Sequence, residues 1–352
     1  MASPLDQPIW QKHDQSEMRT HLVRWTDTFT EWYRRAGDWA LPAHFGSAKR
    51  LVFSGMGGSG QAGAIVKDLA LGVSPWPIEL IKDYTLPKWV DHETVVVAVT
   101  YSGGTEETLN TIIEAHERGA KVMILTTGRA AASLARKYKI PCFEHDYESQ
   151  PRVALPVHLG ILLNIAQRLG VIQINEDALA ELPLLGARLA AQYETETSTK
   201  GNPAKQLAQE LADRIPVVVG DGVLTAVAAR WKAQFNENAK MPAYTETLPE
   251  MNHNALVGVG EPAAKSGLYW LLLDSAFTHE QNKNRMVLTD RYLKERRLTA
   301  RRLNWPAADP LVEIVEALIL GDWVTYYVAL LHGVDPTPVP GIADFKKQLE
   351  RR

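Results

Sequence analysis

The chain has 352 residues, 45% hydrophobic and 22% charged, enough apolar material for its own core without staples. With 38 Lys+Arg against 41 Asp+Glu the net charge is -3, which excludes a basic nucleic-acid surface and a charged tail. The single cysteine, Cys142, excludes an internal disulfide and a zinc cluster, and no apolar run is long enough for a signal segment or a membrane span. A cytoplasmic protein with no nucleic-acid or membrane partner is expected, and a length near two ordinary domains favours two over one.

Residues 15–40 are polar, with Met18, Leu22, Trp25, Phe29 and Trp32 at helical spacing, so one or two N-terminal helices are expected. The texture then changes. "RLVFSG" (50–55), "PIELIK" (77–82), "TVVVAVT" (94–100), "KVMILTT" (121–127) and "IPCFEH" (140–145) read as short buried strands. Helices are expected between them at 59–72, 105–118 and 129–138, and after them at 152–170 and 176–195. "STKGNP" (198–203) is small, polar and contains Gly and Pro, which reads as a linker. The pattern then restarts with strand "IPVVVG" (215–220) and a helix over 223–237. "GLYWLLLD" (267–274) reads as a strand and "TARRLNW" (299–305) as a strand or a connection. A long apolar helix over 310–332 and an amphipathic one over 341–351 complete the chain.

Strands alternating with helices imply α/β architecture: two doubly wound parallel-sheet domains, Rossmann-like and three-layered, with extra N- and C-terminal helices. The expected division is 1–197 and 198–352.

Two loops carry the first chemical signal. "FSGMGGSGQAG" (53–63) links a strand to a helix, and its glycines let backbone N–H groups converge on an anion at a helix N-terminus. Gly57, Gly58 and Ser59 are its candidate ligands. "VTYSGGTEETL" (99–109) also links strand to helix and offers three hydroxyls, Thr100, Ser102 and Thr105. Taken alone, the first loop is also consistent with a tight turn and the second with a helix cap. Neither contains a lysine, which argues against a nucleoside-triphosphate loop. The glycine spacing and the next strand, "IELIKDY" (78–84), do not fit a dinucleotide site. A single phosphate monoester on a small molecule fits better.

"SGMGGSG" with "TYSGGTEET" resembles the sugar isomerase (SIS) domain family, whose members bind phosphosugars. "PRVALP" (151–156), "FNENAK" (235–240), "LPEMNHN" (248–254) and "GDWVTYYVALLHGVDPTPV" (321–339) resemble, in order, the bifunctional phosphoglucose/phosphomannose isomerases. The resemblance covers roughly residues 48–350. It implies an aldose–ketose isomerase that takes glucose 6-phosphate and mannose 6-phosphate to fructose 6-phosphate, with no cofactor and no metal. Such a reaction needs a phosphate anchor, an acid–base pair to open the ring, a base between C2 and C1, and a cation for the enediolate.

Glu237 is the candidate base, expected to be partly desolvated between its aromatic and amide neighbours. His253, near neutrality by type, is the ring-opening candidate. The resemblance implies that it reaches the site of a partner subunit, hence a homodimer. Arg152 is the candidate enediolate stabiliser. Lys346 matches the family's C-terminal lysine, which works with the histidine on the ring. Phe345 and Leu349, on one face of its helix, suggest that Lys346 faces inward. The chain departs from the family at Val339, where a threonine is usual, while Thr337 stands two residues earlier.

Two other readings stay open on the sequence. A phosphosugar-binding regulator would lack the carboxylate and carry a basic helix-turn-helix, which residues 1–40 do not resemble. Another isomerase or an amino-sugar enzyme could share the fold, although a glutaminase half would need a cysteine where Ala2 stands.

Overall fold

A computed structural model describes residues 3–259 and 267–349. Strands β1 (Arg50–Ser54), β2 (Ile78–Ile81), β3 (Thr94–Thr100), β4 (Lys121–Thr126) and β5 (Cys142–Glu144) form one parallel sheet in the order β2-β1-β3-β4-β5. The run of β-branched residues in β3 is buried on both faces, as a central parallel strand requires. Alternate side chains go to different cores. Leu51, Phe53, Val95 and Val97 join the large core, and Val52, Val96 and Ala98 join a smaller one beneath the outer helices.

The N-terminal helix α1 (Trp25–Asp38) buries Trp25, Phe29 and Trp32 in the large core. Helices α2 (Gly57–Leu69), α3 (Glu106–Glu117) and α4 (Arg129–Tyr138) provide crossovers, and α5 (Leu155–Arg168) and α6 (Glu176–Tyr193) close the first half. All follow the expected segments to within a few residues. Asp14 anchors the N-terminal region: its carboxylate accepts from the Met18 and Arg19 amides and from the Tyr326 hydroxyl.

The second half repeats the plan. Strands β6 (Ile215–Gly220), β7 (Tyr244–Thr247), β8 (Leu268–Asp274) and β9 (Thr299–Asn304) form a parallel sheet in the order β7-β6-β8-β9. Each sheet therefore places its second strand beside its first, then its third and fourth, the winding of an open doubly wound fold. Helices α7 (Pro203–Leu211), α8 (Thr225–Glu237), α9 (Glu280–Glu295), α10 (Pro310–Leu331) and α11 (Pro340–Leu349) complete the chain. Helix α10 is apolar on all sides and long enough to cross a membrane, but it runs buried through the interior, which fits a central core helix.

Two elements were not expected, β7 and α9. "YTET" has no apolar run and is held by backbone pairing with β6. Helix α9 buries only Met286, Thr289 and Leu293, a stripe too narrow to announce a helix. The segment read as a linker is exposed at Ser198, Lys200 and Gly201 and anchored at Asn202. Asn202, fully buried, accepts from the Lys205 amide and donates to the Tyr193 carbonyl at 2.9 Å. One continuous apolar core runs from the first sheet to the second.

Candidate active site

The site forms where the carboxyl ends of β1 and β3 face the junction of the two halves. After β1 the chain turns at Gly57, whose φ of +50° suits glycine, and enters α2 with no side chain capping the helix start. Among the described residues the Gly57 and Gly58 amides have no partner and suit a ligand, while that of Ser59 donates to the Met56 carbonyl at 3.0 Å. After β3, Thr105 occupies the N-cap position of α3, yet its hydroxyl makes no cap bond. It accepts instead from the Thr100 hydroxyl at 3.0 Å and lies 3.3 Å from that of Ser102. That arrangement removes the capping explanation for this loop. The loops are fastened to each other by the Tyr101 amide, which donates to Ser59 Oγ at 3.0 Å. The hydroxyls of Ser59, Thr100, Ser102 and Thr105 are thus held together at the carboxyl ends of β1 and β3.

Arg152 lies directly against the first loop. A Cβ on Gly58 would come within 2.8 Å of the Arg152 N and Cα atoms, so only glycine lets the loop sit there. The stretch before Arg152 is tied to the second loop, because the Tyr101 hydroxyl accepts from the Ser149 amide (2.7 Å) and donates to the Tyr147 carbonyl (2.8 Å).

The Arg152 side chain is 2% exposed and runs across to the second half. Its Nε donates to Asn238 Oδ1 at 2.8 Å, and its Nη2 to the Pro336 and Thr337 carbonyls, each at 2.7 Å. Its Nη1 lies 3.6 Å from Glu237 Oε2. Burial works against the guanidinium charge, and the Glu237 carboxylate restores part of it.

Glu237 is the last residue of α8, with its side chain a quarter exposed. The neighbours expected to desolvate it point elsewhere. Phe235 is buried in the large core, Asn236 donates to the Met241 carbonyl, and Asn238 serves Arg152. Successive helical residues face different directions, so a polar run in sequence is not a polar cluster in space.

The structure does not bring His253 or Lys346 to this cluster. His253 ends a short helical turn, Glu250–His253, and is exposed. Lys346 lies on α11, all of whose residues are exposed. Phe345 is 63% exposed, so the expected inward face of that helix does not exist in a single copy. Neither residue makes a hydrogen bond or ion pair with Arg152 or Glu237 among the described residues. Thr337, in contrast, is part of the cluster through its carbonyl, and its hydroxyl is buried without a partner.

Residues 44–142 match the SIS domain family, and residues 200–349 match the bacterial phosphoglucose isomerase C-terminal SIS domain. The bifunctional phosphoglucose/phosphomannose isomerase of Caldicellulosiruptor bescii is 33% identical over 85% of this chain and 89% of its own length. That of Aquifex aeolicus is 34% identical over 86% and 91%. The chain belongs to the bifunctional phosphoglucose/phosphomannose isomerase family. A hypothetical protein of Thermus thermophilus, 17% identical, shares the fold with a TM-score of 0.75 over 99% of this chain and 93% of its own.

In this phosphoglucose/phosphomannose isomerase family member, three polar side chains that sequence reasoning did not single out support the site. Asn238, fully buried, donates to Thr325 Oγ1 at 3.1 Å while it accepts from Arg152. Asp322 of α10 pairs with Arg230 of α8 at 3.0 Å and accepts from Gln234 at 2.8 Å, a buried charge pair between the two helices. Lys240 donates to the Glu237 carbonyl. Each lies in a motif quoted above, "FNENAK" or "GDWVTYY". The only signal in the sequence is that such motifs hold more polar residues than a helix face needs.

Proposed function

We infer that this chain interconverts glucose 6-phosphate, and with it mannose 6-phosphate, with fructose 6-phosphate. The phosphate docks on the α2 and α3 N-termini among Gly57, Gly58, Ser59, Thr100, Ser102 and Thr105. In the opened aldose, Glu237 takes the proton from C2, leaving a cis-enediolate, the hydroxyl proton passes from O2 to O1, and Glu237 returns its proton to C1 of the product. Arg152 balances the negative charge that develops on the sugar oxygens between those steps. The route is a proton transfer between carbon atoms and calls on no metal or cofactor. The observation that carries this reading is the position of Arg152: its backbone packs on the phosphate loop while its guanidinium faces the Glu237 carboxylate.

Ring opening is assigned to His253 of a second copy, with Lys346. Their exposure, and that of Val257 (80%) and Leu288 (55%) near His253, supports a face covered by a partner subunit. The division at 197/198 and a cytoplasmic location belong to the same reading.

The test is to incubate the protein with fructose 6-phosphate and EDTA and to quantify both aldose phosphates. Both are expected to form. Glucose 6-phosphate alone would remove the mannose half of the reading, and no turnover would sink it. For the shared site, His253→Asn and Glu237→Gln proteins are mixed after partial unfolding. Heterodimers then hold one intact site, so activity returns to about a quarter of wild type. No recovery would place His253 and Glu237 in the same copy's site.

A further inference from the structure

Lys240 follows the C-terminus of α8 in a left-handed conformation, with φ +56°. For a residue with a Cβ this geometry costs about 1–2 kcal/mol. It turns the exposed side chain back across the end of the helix, where Nζ donates to the Glu237 carbonyl at 2.5 Å and to the Pro336 carbonyl at 3.1 Å. The Pro336 carbonyl is also bound by Arg152 Nη2. Two cations from opposite halves of the protein thus hold one peptide group, and the next residue is Thr337. An ammonium has three donors, and these two carbonyls use two of them.

The charged groups around Lys240 are Arg152 on the first half, Glu237 on its own helix, and Asp335 on the segment after α10. The His332 imidazole sits on the adjacent Ala239 carbonyl. No carboxylate lies within ion-pair distance of Nζ among the described residues.

We propose that Lys240 is a positioning residue of the isomerase site: it locks the base-bearing end of α8 to the Pro336–Thr337 turn and adds a second positive charge beside the Arg152–Glu237 pair. The point charge of a lysine suits this place. It stabilises the helix end through the dipole and supplements the guanidinium when negative charge moves from Glu237 onto the sugar. Desolvation, and after it Arg152, push the Lys240 ammonium down to about 8. Turnover is therefore expected to fall as pH rises through that value, because the second charge is lost and the turn is released.

The proposal rests on Glu237 being the base, so Glu237→Gln is measured alongside. The readout is kcat and KM for fructose 6-phosphate from about pH 6 to about pH 9.5 in wild type, Lys240→Met and Lys240→Arg. Lys240→Met is expected to lower kcat about thirtyfold at neutral pH, with KM changed less than about threefold because the phosphate loops are untouched. Lys240→Arg is expected to recover most of that loss and to move the basic limb up by more than about one unit, since a guanidinium does not titrate there. A Lys240→Met protein with wild-type kcat and basic limb would overturn the proposal. So would equal losses in both variants with the basic limb unmoved, which is the pattern of a plain helix cap. If Glu237→Gln stays active, the assignment of the base fails first. If it is inactive while Lys240→Met is unaffected, only the Lys240 proposal fails.

Discussion

The two sheets are wound alike, yet the crevices at their carboxyl ends hold opposite chemistry. In the first, the loops after β1 and β3 present glycine amides and hydroxyls, and the acidic Glu106 and Glu107 stand just beyond them, in the first turn of α3. In the second, Asp221 follows β6, Asp274 ends β8, and Glu313 of α10 bonds the segment after β8. Asp221 is buried and accepts from the Thr278 hydroxyl. Glu313 accepts from the Ser275 hydroxyl (2.5 Å) and the Ala276 amide (2.8 Å). The second crevice carries its own carboxylates where the first offers amides and hydroxyls. The fold repeats the geometry, and a handful of side chains make the two copies differ.

The largest effect expected from breaking this division of labour is at the reacting end. Glu237→Gln should lower kcat by about a thousandfold while titration still shows phosphosugar binding, because the first crevice is intact. Near-wild-type turnover would end the assignment. Next, Thr105→Asp copies the second crevice's charge into the first. An aspartate at that N-cap favours the helix, so the thermal midpoint should hold or rise while KM for fructose 6-phosphate rises about a hundredfold. An unchanged KM would mean that the phosphate binds elsewhere. The reverse experiment empties the second crevice. Glu313→Ala leaves the Ser275 hydroxyl and Ala276 amide unpaired and should cost about 2 kcal/mol in chemical denaturation, with kcat per folded molecule unchanged.

Acid should separate the halves by a smaller margin. His145 and His158 face each other at 3.2 Å between Nε2 atoms, both buried against Tyr101. Burial holds His145 at about 4 and His158 well below the ordinary 6.5. Groups whose folded value is depressed in this way bind protons more readily when unfolded. Their contribution to stability is whole above about 6.5 and shrinks as pH falls towards 4, by about 2 kcal/mol for His145 at pH 5. Asp221 and Glu313 have raised values because they are desolvated, so protonation favours their folded state and the sign reverses. Hydrogen exchange at pH 5 against pH 7.5 should show β5 and α5 losing protection before β6 and β8. Uniform loss would contradict the contrast.

The sequence made the first half largely readable because its strands are unbroken apolar runs and its loops are glycine and hydroxyl. It was less informative where backbone pairing alone makes the element, as in β7, or where three side chains hold a helix, as in α9. "STKGNP" is exposed at Ser198, Lys200 and Gly201 as its polarity suggests, while Asn202 is buried by bonding to the backbone of its neighbours. The partners of Arg152 lie far along the chain at Asn238, Pro336 and Thr337, and no local pattern announces such a meeting. The surroundings of Glu237 differ from the expectation for a related reason: residues adjacent in sequence face different directions in space.

The contact between Gly58 and the Arg152 backbone has a consequence for how substrate affinity becomes rate. On the proposed function, a phosphate on the glycine loop would bear on the peptide that carries the Arg152 guanidinium, and so help to assemble the reacting centre. Unphosphorylated fructose should therefore suffer in turnover at saturation, and not in affinity alone. Free inorganic phosphate, which fills the loop without being joined to the sugar, should restore part of that turnover.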